Sequence, residues 1–527
     1  MKISSASRAF FVVLLTCLAP PVQAMRPEVG LACLQEGDLL CAIEVLEALG
    51  RDEPRQDLLA ARVAFQEGRP EEAQRRLERL AMRAPERFAP EGDLVAELAH
   101  VRATAEVHAG LTETTRDGIS VVHHPGVDRI LVDGVVESLT AAKAKIAPLL
   151  GGDIPVPPRV EMYPDSNSFT RCSGLPLEAI QTTGVVAISK WQRLLLHSPR
   201  ALSRGYDWKD TLVHEWIHQL VSWHSRERAP VWLQEGIAKS LDMLWREDQF
   251  EIPVHMQSGL AQAIRDDDFV QFEEMRYSFA YLDSAERAAL AYAQVSTQMA
   301  FLRQRAGGQA IARVLEALEL GEDAESAVAS VFGVSSFEVF LDKWRTWLET
   351  LDLLQDRLSV LPTVLPGEGD EFSQDPVLAQ HKDLARKARL GDLMAERGHF
   401  EAALVYYEQA SPEEDPLGPL LVNRKATVLT ELGRNAEASS LLHDSLQSYP
   451  EFALNLRLLG NLLRMEGKPR LALGRYRHAV DLDPFDVQVQ LAIAELYELL
   501  GDEESARYHR HLLRILEYHE PVSGEKE

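Results

Sequence analysis

Cysteine, proline and glycine are scarce in this chain of 527 residues, which contains 4 Cys, 27 Pro and 31 Gly. So few cysteines exclude a disulfide-rich scaffold, and the low proline and glycine content excludes a collagen-like or low-complexity chain. Hydrophobic residues make up 46% of the sequence and charged residues 26%, which excludes a wholly disordered chain. At this length we expect about two to four domains, each able to bury a core.

Basic side chains are also few relative to acidic ones. The sequence has 55 Lys and Arg against 81 Asp and Glu, for a formal net charge of −26. Such an acidic surface repels phosphate backbones, so we do not expect a nucleic acid as partner.

Long hydrophobic runs are absent beyond the N-terminus, where an apolar stretch covers residues 9–18. Lys2 and Arg8 precede this stretch, which is too short to span a bilayer. A basic start, a short apolar run and small residues after it are typical of a cleaved signal peptide, here residues 1–24. A lipoprotein signal through Cys17 is the alternative. We therefore expect an exported protein, periplasmic or secreted, with no integral membrane segment after cleavage.

Two of the remaining cysteines, Cys33 and Cys41, lie four residues on either side of Gly37. If Gly37 forms the turn of a helical hairpin, a disulfide across that turn is feasible. The alternative is two small packed thiols.

Glycine recurs with a regular period in the C-terminal third, at Gly398, Gly433, Gly467 and Gly501, in steps of 35, 34 and 34. An alanine follows each glycine by five residues, and another small residue precedes each by seven. This pattern resembles the tetratricopeptide repeat (TPR), a pair of antiparallel helices. The resemblance implies a TPR array over residues 377–520, whose concave face would bind a protein or peptide partner.

The same pattern occurs in weaker form near the N-terminus. Gly37 and Gly68 are followed at five residues by Ala42 and Ala73, but the spacing of the two glycines is only 31. We interpret residues 25–110 as degenerate TPR-like helical repeats.

A segment of different character separates the two repeat regions. Short β-type runs cover residues 119–122, 159–163, 184–188 and 193–197, and a helical pattern covers 135–150. From Asp210 to about Gly333 the pattern is helical, and residues 351–376 are typical of a linker. The expected fold class is therefore mainly α, with one α+β domain over residues 118–350.

The clearest chemical motif is His214-Glu215-Trp216-Ile217-His218. On a helix, His214 and His218 share one face and can bind one metal ion, with Glu215 placed to accept a proton from metal-bound water. Asp210, four residues before His214, is the expected N-cap of this helix.

Two residues are candidates for a third metal ligand. His224 follows His218 at the spacing of the HExxHxxGxxH pattern, but Val221 stands where that pattern requires a glycine to break the helix. Glu235 follows a loop marked by Pro230 and can complete a His-His-Glu site from a second helix. We favour Glu235 and keep His224 as the alternative.

His214–His218 followed by Pro230-Val-Trp-Leu-Gln-Glu-Gly-Ile-Ala238 resembles the peptidase MA-like family of gluzincins, which includes thermolysin-like zinc enzymes. The resemblance covers about residues 118–350. It implies a Zn²⁺ ion bound by His214, His218 and Glu235, with Glu215 as the catalytic base acting on a peptide or protein substrate.

The resemblance also implies a catalytic tyrosine. In gluzincin aminopeptidases a tyrosine that opens a later helix stabilises the oxyanion, and Tyr292 matches that place; a core tyrosine is the alternative reading, and Tyr277 and Tyr281 are weaker candidates for the role. Those aminopeptidases also carry an edge-strand glutamate that binds the substrate amine. The corresponding stretch here, residues 183–189, has no carboxylate.

Two hypotheses of different class follow. The first is an exported zinc metallopeptidase with TPR arrays for protein or peptide binding. The second is a catalytically inactive TPR scaffold that retains a peptidase-like domain for assembly. The complete set of HExxH, Glu235 and Tyr292 favours the first.

Overall fold

The computed structural model describes residues 26–51, 53–177, 184–279, 282–354, 371–375, 377–411 and 417–516. Within these ranges the chain is mainly helical, with twenty-two α-helices and one five-stranded sheet. The predicted signal peptide and Tyr281 lie outside the described residues.

Five helices precede the sheet and confirm the helical reading of the N-terminal region. They are α1 (Pro27–Gln35), α2 (Leu39–Leu49), α3 (Asp57–Gln66), α4 (Pro70–Arg83) and α5 (Asp93–His108). Gly37 and Gly68 make the turns of the first two hairpins, each with a φ of 74°. A disulfide joins Cys33 to Cys41 across the first turn, as the hairpin geometry allows.

The sheet has the order β1-β2-β3-β5-β4. Its strands are β1 (Thr112–Arg116), β2 (Ile119–His123), β3 (Arg159–Tyr163), β4 (Ala187–Lys190) and β5 (Arg193–His197). β2, β3 and β5 are parallel, whereas β1 and β4 are antiparallel to their neighbours and form the two edges. The strand predicted at residues 184–188 begins three residues later, and β1 extends the sheet to the N-terminal side of residue 118.

Nine helices surround or follow the sheet. They are α6 (Leu131–Lys145), α7 (Ser166–Ser173), α8 (Trp208–Ser225), α9 (Val231–Leu241), α10 (Val254–Asp266), α11 (Ala285–Ala306), α12 (Ala310–Glu319), α13 (Ala324–Phe332) and α14 (Phe337–Leu348). The helix predicted at residues 135–150 begins four residues earlier and ends at Lys145, with a 3₁₀ turn at Ala147–Leu150. One face of the sheet and eight of these nine helices, all except α7, share a continuous apolar core.

The C-terminal array consists of four helical hairpins. Their helices are α15 (Lys382–Glu396), α16 (Phe400–Gln409), α17 (Pro419–Glu431), α18 (Asn435–Ser448), α19 (Ala453–Met465), α20 (Pro469–Leu482), α21 (Val487–Leu500) and α22 (Glu503–Leu516). The four recurring glycines form the hairpin turns, with φ between 72° and 82°. α18 and α20 end just before Pro450 and Pro484, where the repeat pattern predicts helix ends.

The array core includes residues from the segment predicted as a linker. Phe372 is buried in that core, and the buried Asp375 accepts hydrogen bonds from the backbone N–H groups of Val377, Leu378 and Leu420 at 3.0–3.1 Å. Of the predicted linker 351–376, residues 355–370 and 376 lie outside the described residues.

The array also packs directly on the α+β domain. Lys209 donates to Asp481 at 2.7 Å, and the Tyr206 N–H donates to the Leu482 carbonyl at 3.1 Å. Gly205 allows this approach, because its φ is +65° and an added Cβ would collide with that same carbonyl. Leu512, near the end of α22, is part of the apolar core of the α+β domain.

On the other side, a buried ionic cluster joins the N-terminal helices to the sheet. Glu161 of β3 and Arg193 of β5 are both fully buried and paired, with Arg193 Nη1 at 3.2 Å from each Glu161 oxygen. Tyr163 donates to Glu161 at 2.6 Å, and His108 Nε2 of α5 lies 3.4 Å from it. The Arg193 guanidinium stacks on Phe65 of α3 at 4.5 Å. These contacts fix α3 and α5 against the sheet.

Among the described residues, no single helix has the length and composition of a membrane span. One bent pair, α13 with α14, meets the criteria by composition, at an angle of 61°. Its apolar residues, including Phe340 and Trp344, lie in the core of the α+β domain.

Candidate metal centre

Helix α8 carries the HExxH motif, and its buried face determines where the motif points. Leu212, Trp216 and Leu220 are fully buried in the core. The face of α8 that carries His214 and His218 therefore points away from that core. Both histidine side chains are only 14% exposed.

The expected N-cap of α8 is wrong by one turn. The helix begins at Trp208 with Asp207 at the N-cap position, and Asp210 lies in the first turn. The Asp210 carboxylate instead accepts hydrogen bonds from Trp245 Nε1 at 2.7 Å and Arg246 Nε at 2.9 Å. These partners lie 35 and 36 residues away in the chain, so helix-capping preference could not reveal them.

The position of Glu215 is fixed by edge strand β4, which runs beside α8. The Glu215 carboxylate accepts a hydrogen bond from the backbone of Ser189 in β4. One ligand atom from each of His214, Glu215 and His218 lies within 4.8 Å of the others. The three polar residues of the motif therefore form one cluster beside a sheet edge.

Helix α9 brings Glu235 to the same cluster. It begins at Val231, immediately after the predicted loop residue Pro230. Gly236 allows α9 to approach α11 closely, because a Cβ added there would lie 2.8 Å from the Val295 carbonyl oxygen. This contact holds the neighbouring Glu235 over the histidines.

Three donor atoms form a nearly regular triangle. His214 Nε2 and His218 Nε2 are 3.2 Å apart, and Glu235 Oε2 lies 3.3 Å from the first and 3.6 Å from the second. Tetrahedral zinc with ligands at about 2.0–2.2 Å requires donor separations of about 3.3 Å. The triangle therefore has the dimensions that three ligands of one such ion require.

His224, the alternative ligand, lies elsewhere. α8 continues through Val221 and ends at Ser225, so His224 remains on the helix. Its Nε2 lies 3.0 Å from the Gly152 carbonyl oxygen, a hydrogen-bond distance. The structure thus brings Glu235, and not His224, next to the two histidines.

Asp242 is a site residue that the sequence reasoning missed. It is buried at the end of α9, and its Oδ2 lies 3.3 Å from His214 Nδ1. A carboxylate at this position orients the imidazole and makes its other nitrogen a better metal ligand. Asp242 follows Glu235 by two helical turns, so a carboxylate at i+7 on the same helix face is the signal that could have revealed it.

The electrostatics of the cluster are strongly coupled. The pKa of His214 rises to about 10: burial opposes the charge, but the hydrogen bonds to Asp242 and Glu235 outweigh it. The pKa of Glu235 falls well below its usual range, because the effect of the histidines exceeds the cost of burial. Burial raises the pKa of Glu215, although His218 and His214 counteract part of the shift.

Tyr292 lies on the eighth residue of α11, not at the start of a helix as predicted, because α11 begins at Ala285. Its ring packs edge-on against Phe279 at 4.8 Å. Burial, together with the Glu235 and Glu215 carboxylates, raises the pKa of Tyr292 well above 10. It is thus a protonated phenol near both carboxylates. Tyr277, by contrast, is 75% exposed.

A cleft of about 890 Å³ opens on this cluster. Val186, His214 and Tyr292 line it from the α+β domain, and Pro450, Glu451 and His478 line it from the C-terminal array. Of the four cluster residues, His214 is the one in this lining. We call this space the interdomain cleft. It gives the cluster access to a ligand the size of a short peptide.

A mixed sheet, an HExxH helix beside its edge and a second helix with a glutamate are the features of a peptidase-like domain. The family model of the Peptidase MA superfamily matches residues 144–350, which is less than half of the chain. These residues form a peptidase-like domain, in a superfamily that is typically metal-dependent.

No curated protein matches the chain significantly. Solved structures with partial likeness include MamA 41-end from Desulfovibrio magneticus RS-1, with 20% identity over 28% of this chain and 81% of that chain, at a TM-score of 0.23. YrrB, a TPR protein with an unusual peptide-binding site, has 16% identity over 27% of this chain and 81% of that chain, at 0.22. At these TM-scores the likeness carries no functional conclusion.

Proposed function

We propose that this chain is an exported zinc-dependent metallopeptidase of the gluzincin type, with TPR arrays that bind a protein or peptide partner. The observation that carries the proposal is the donor triangle of His214, His218 and Glu235 beside Glu215, with His214 in the lining of an open cleft. The domains would be the signal peptide at 1–24, repeats at 25–110, a peptidase domain from Thr112 of β1 to about residue 350, and the array from Phe372 to about residue 520.

Zinc held by this triangle would acidify its bound water and polarise the scissile carbonyl group. Glu215 would take a proton from the attacking water and later donate it to the leaving nitrogen.

Asp242 would hold the His214 ring in place through Nδ1. Tyr292 would donate its phenol proton to the developing oxyanion, and its raised pKa keeps that proton available at neutral pH.

Strand β4 offers a place for the substrate backbone. β4 pairs only with β5 among the described strands and lies next to Glu215. An extended peptide could add to its outer edge by β-augmentation. Residues 184–190 contain no carboxylate to hold a free amino terminus, which supports cleavage within a chain over removal of N-terminal residues.

The ligand assignment is tested by zinc content. We expect one zinc per full chain, and loss of most of it in Glu235→Ala, because only two donors remain. His224→Ala is the matched control, since it removes a histidine of the same helix that lies outside the cluster, and it should keep its zinc. Atomic absorption on the purified proteins measures both. Zinc loss from the His224 variant and not from the Glu235 variant would reverse the assignment.

Tyr292→Phe tests the role of the phenol. It should lower kcat for peptide hydrolysis by about 10²-fold, the effect of losing one oxyanion donor. KM and zinc content should hardly change, because the ring remains packed on Phe279. Steady-state kinetics with a fluorogenic peptide provide the measurement. An unchanged kcat would make Tyr292 a packing residue.

A further inference from the structure

The interdomain cleft carries an excess of negative charge beyond the metal cluster. Apart from His214 of the metal cluster, two cationic side chains line it, Lys239 and Arg246. Six carboxylates line it as well: Asp207, Asp210, Asp242, Glu251, Asp352 and Glu451. These carboxylates come from four separate parts of the chain, and Glu451 comes from the C-terminal array.

Both cations are already engaged by wall residues. Lys239 Nζ donates to Asp242 at 2.9 Å, and Arg246 Nε donates to Asp210 at 2.9 Å. The two outer histidines add no charge at neutral pH. Burial lowers the pKa of His255 to about 4 and also lowers the pKa of His478.

In the part of the chain that the structure describes, three of the carboxylates have no ion-pair partner: Glu251, Asp352 and Glu451. Asp242 uses only one of its two oxygens to contact Lys239 and His214. Its side chain is only 3% exposed, and its Oδ1 has no hydrogen-bond partner among the described residues. Burial raises the pKa of Glu451, and the charges of Lys239 and Arg246 oppose that shift only in part.

Asp207 lies among these carboxylates and is paired with Arg246 at 3.4 Å. Its enclosure, together with the carboxylates of Asp210 and Glu451, raises its pKa well above the usual range, even though Arg246 opposes the shift. A cation entering the cleft would relieve this repulsion.

We propose that the interdomain cleft selects peptides with a lysine or arginine side chain, and that Glu451 of the C-terminal array is a specificity-determining residue. This inference rests on the proposed function, because it names the substrate class of the same site. It also gives the array a second task, since its α18–α19 turn forms part of the substrate-binding wall.

Binding of defined peptides tests the inference apart from catalysis. The probes are fluorescein-labelled decapeptides of alanine and glycine with three lysines, three glutamines or three glutamates, blocked at both ends so that no free amine competes. Binding to the full chain carrying Glu215→Gln is measured by anisotropy at constant low salt. The lysine peptide should bind at least about tenfold more tightly than the glutamine peptide.

Glu451→Lys in the same background should reduce this preference by about tenfold, and Glu451→Gln by about threefold. Glu431→Lys is the matched control, because Glu431 is an exposed residue of α17 in the same array and does not line the cleft. It makes the same change in net charge and should alter binding less than twofold. Thermal unfolding shows whether each variant is folded.

Equal effects of Glu451→Lys and Glu431→Lys would overturn the inference, since the preference would then reflect only the overall charge of the chain. The same holds if the three peptides bind equally. Failure of the proposed function has a different signature: the lysine peptide binds preferentially, but the unsubstituted chain cleaves none of the peptides.

Discussion

Replacing Glu215 by glutamine is expected to lower peptide hydrolysis by about 10²–10⁴-fold, the usual contribution of a general base. The amide keeps the shape of the side chain and can still bond to strand β4, but it cannot accept the proton of the attacking water. The metal ligands are untouched, so zinc content should remain at one per chain. Hydrolysis of a fluorogenic peptide, with metal analysis of the same samples, measures both.

The control for this variant is Glu227→Gln, because Glu227 is an exposed residue just beyond the end of α8. It should keep full activity. If the unsubstituted chain binds zinc and yet cleaves nothing in a broad peptide library, the inactive scaffold becomes the better explanation. The same activity in Glu215→Gln and in the unsubstituted chain would remove Glu215 from the mechanism.

Replacing Glu161 by glutamine should destabilise the peptidase-like domain by about 3–5 kcal/mol, because it leaves Arg193 as an uncompensated buried charge. Both side chains are fully buried, and Arg193 Nε and Nη2 already lack hydrogen-bond partners in the described structure. The shift in the urea midpoint at neutral pH measures the effect. Glu113→Gln is the control, because Glu113 also pairs with an arginine but is 47% exposed, and it should cost less than about 1 kcal/mol.

The pH dependence of this effect has a definite sign. Arg193, His108 and Arg159 outweigh the cost of burial and hold the pKa of Glu161 well below its usual range in the folded state. Its stabilising contribution is therefore complete above the unfolded-state pKa of about 4.3, and it is lost as the pH falls through the lower folded-state pKa. The difference in the free energy of unfolding between Glu161→Gln and the unsubstituted chain should become smaller only in that acidic range. A constant difference in the free energy of unfolding down to pH 2 would show that the charge of the Glu161 carboxylate does not stabilise the fold.

Local sequence patterns predicted much of the structure because the governing interactions are local. The turn glycines Gly398, Gly433, Gly467 and Gly501 alone specify four hairpins, since each supplies a positive φ. Three of the predicted strands, those of β2, β3 and β5, agree with the structure because each is a short segment of five residues with three apolar side chains. Strand β1 was missed because Thr112–Arg116 is a polar edge segment with no such pattern.

The features that sequence reasoning could not supply depend on contacts between distant segments. Asp210 was expected to cap a helix, but its carboxylate accepts hydrogen bonds from Trp245 and Arg246 instead. Asp242 reaches His214 only because α8 and α9 pack side by side. Glu451 borders the peptidase cleft from a repeat more than 200 residues beyond the HExxH helix. No periodicity within a single segment carries this information.

The position of Leu512 has a consequence for the order in which the molecule is made. This side chain, in the last described helix, completes an apolar core whose other members belong mostly to the preceding peptidase-like domain. During synthesis from the N-terminus, that core lacks one of its members until Leu512 has left the ribosome. The cleft likewise lacks Pro450, Glu451 and His478 until the array docks. Assembly of the cleft is therefore coupled to synthesis of the array, so a product terminated before the array would lack a finished cleft.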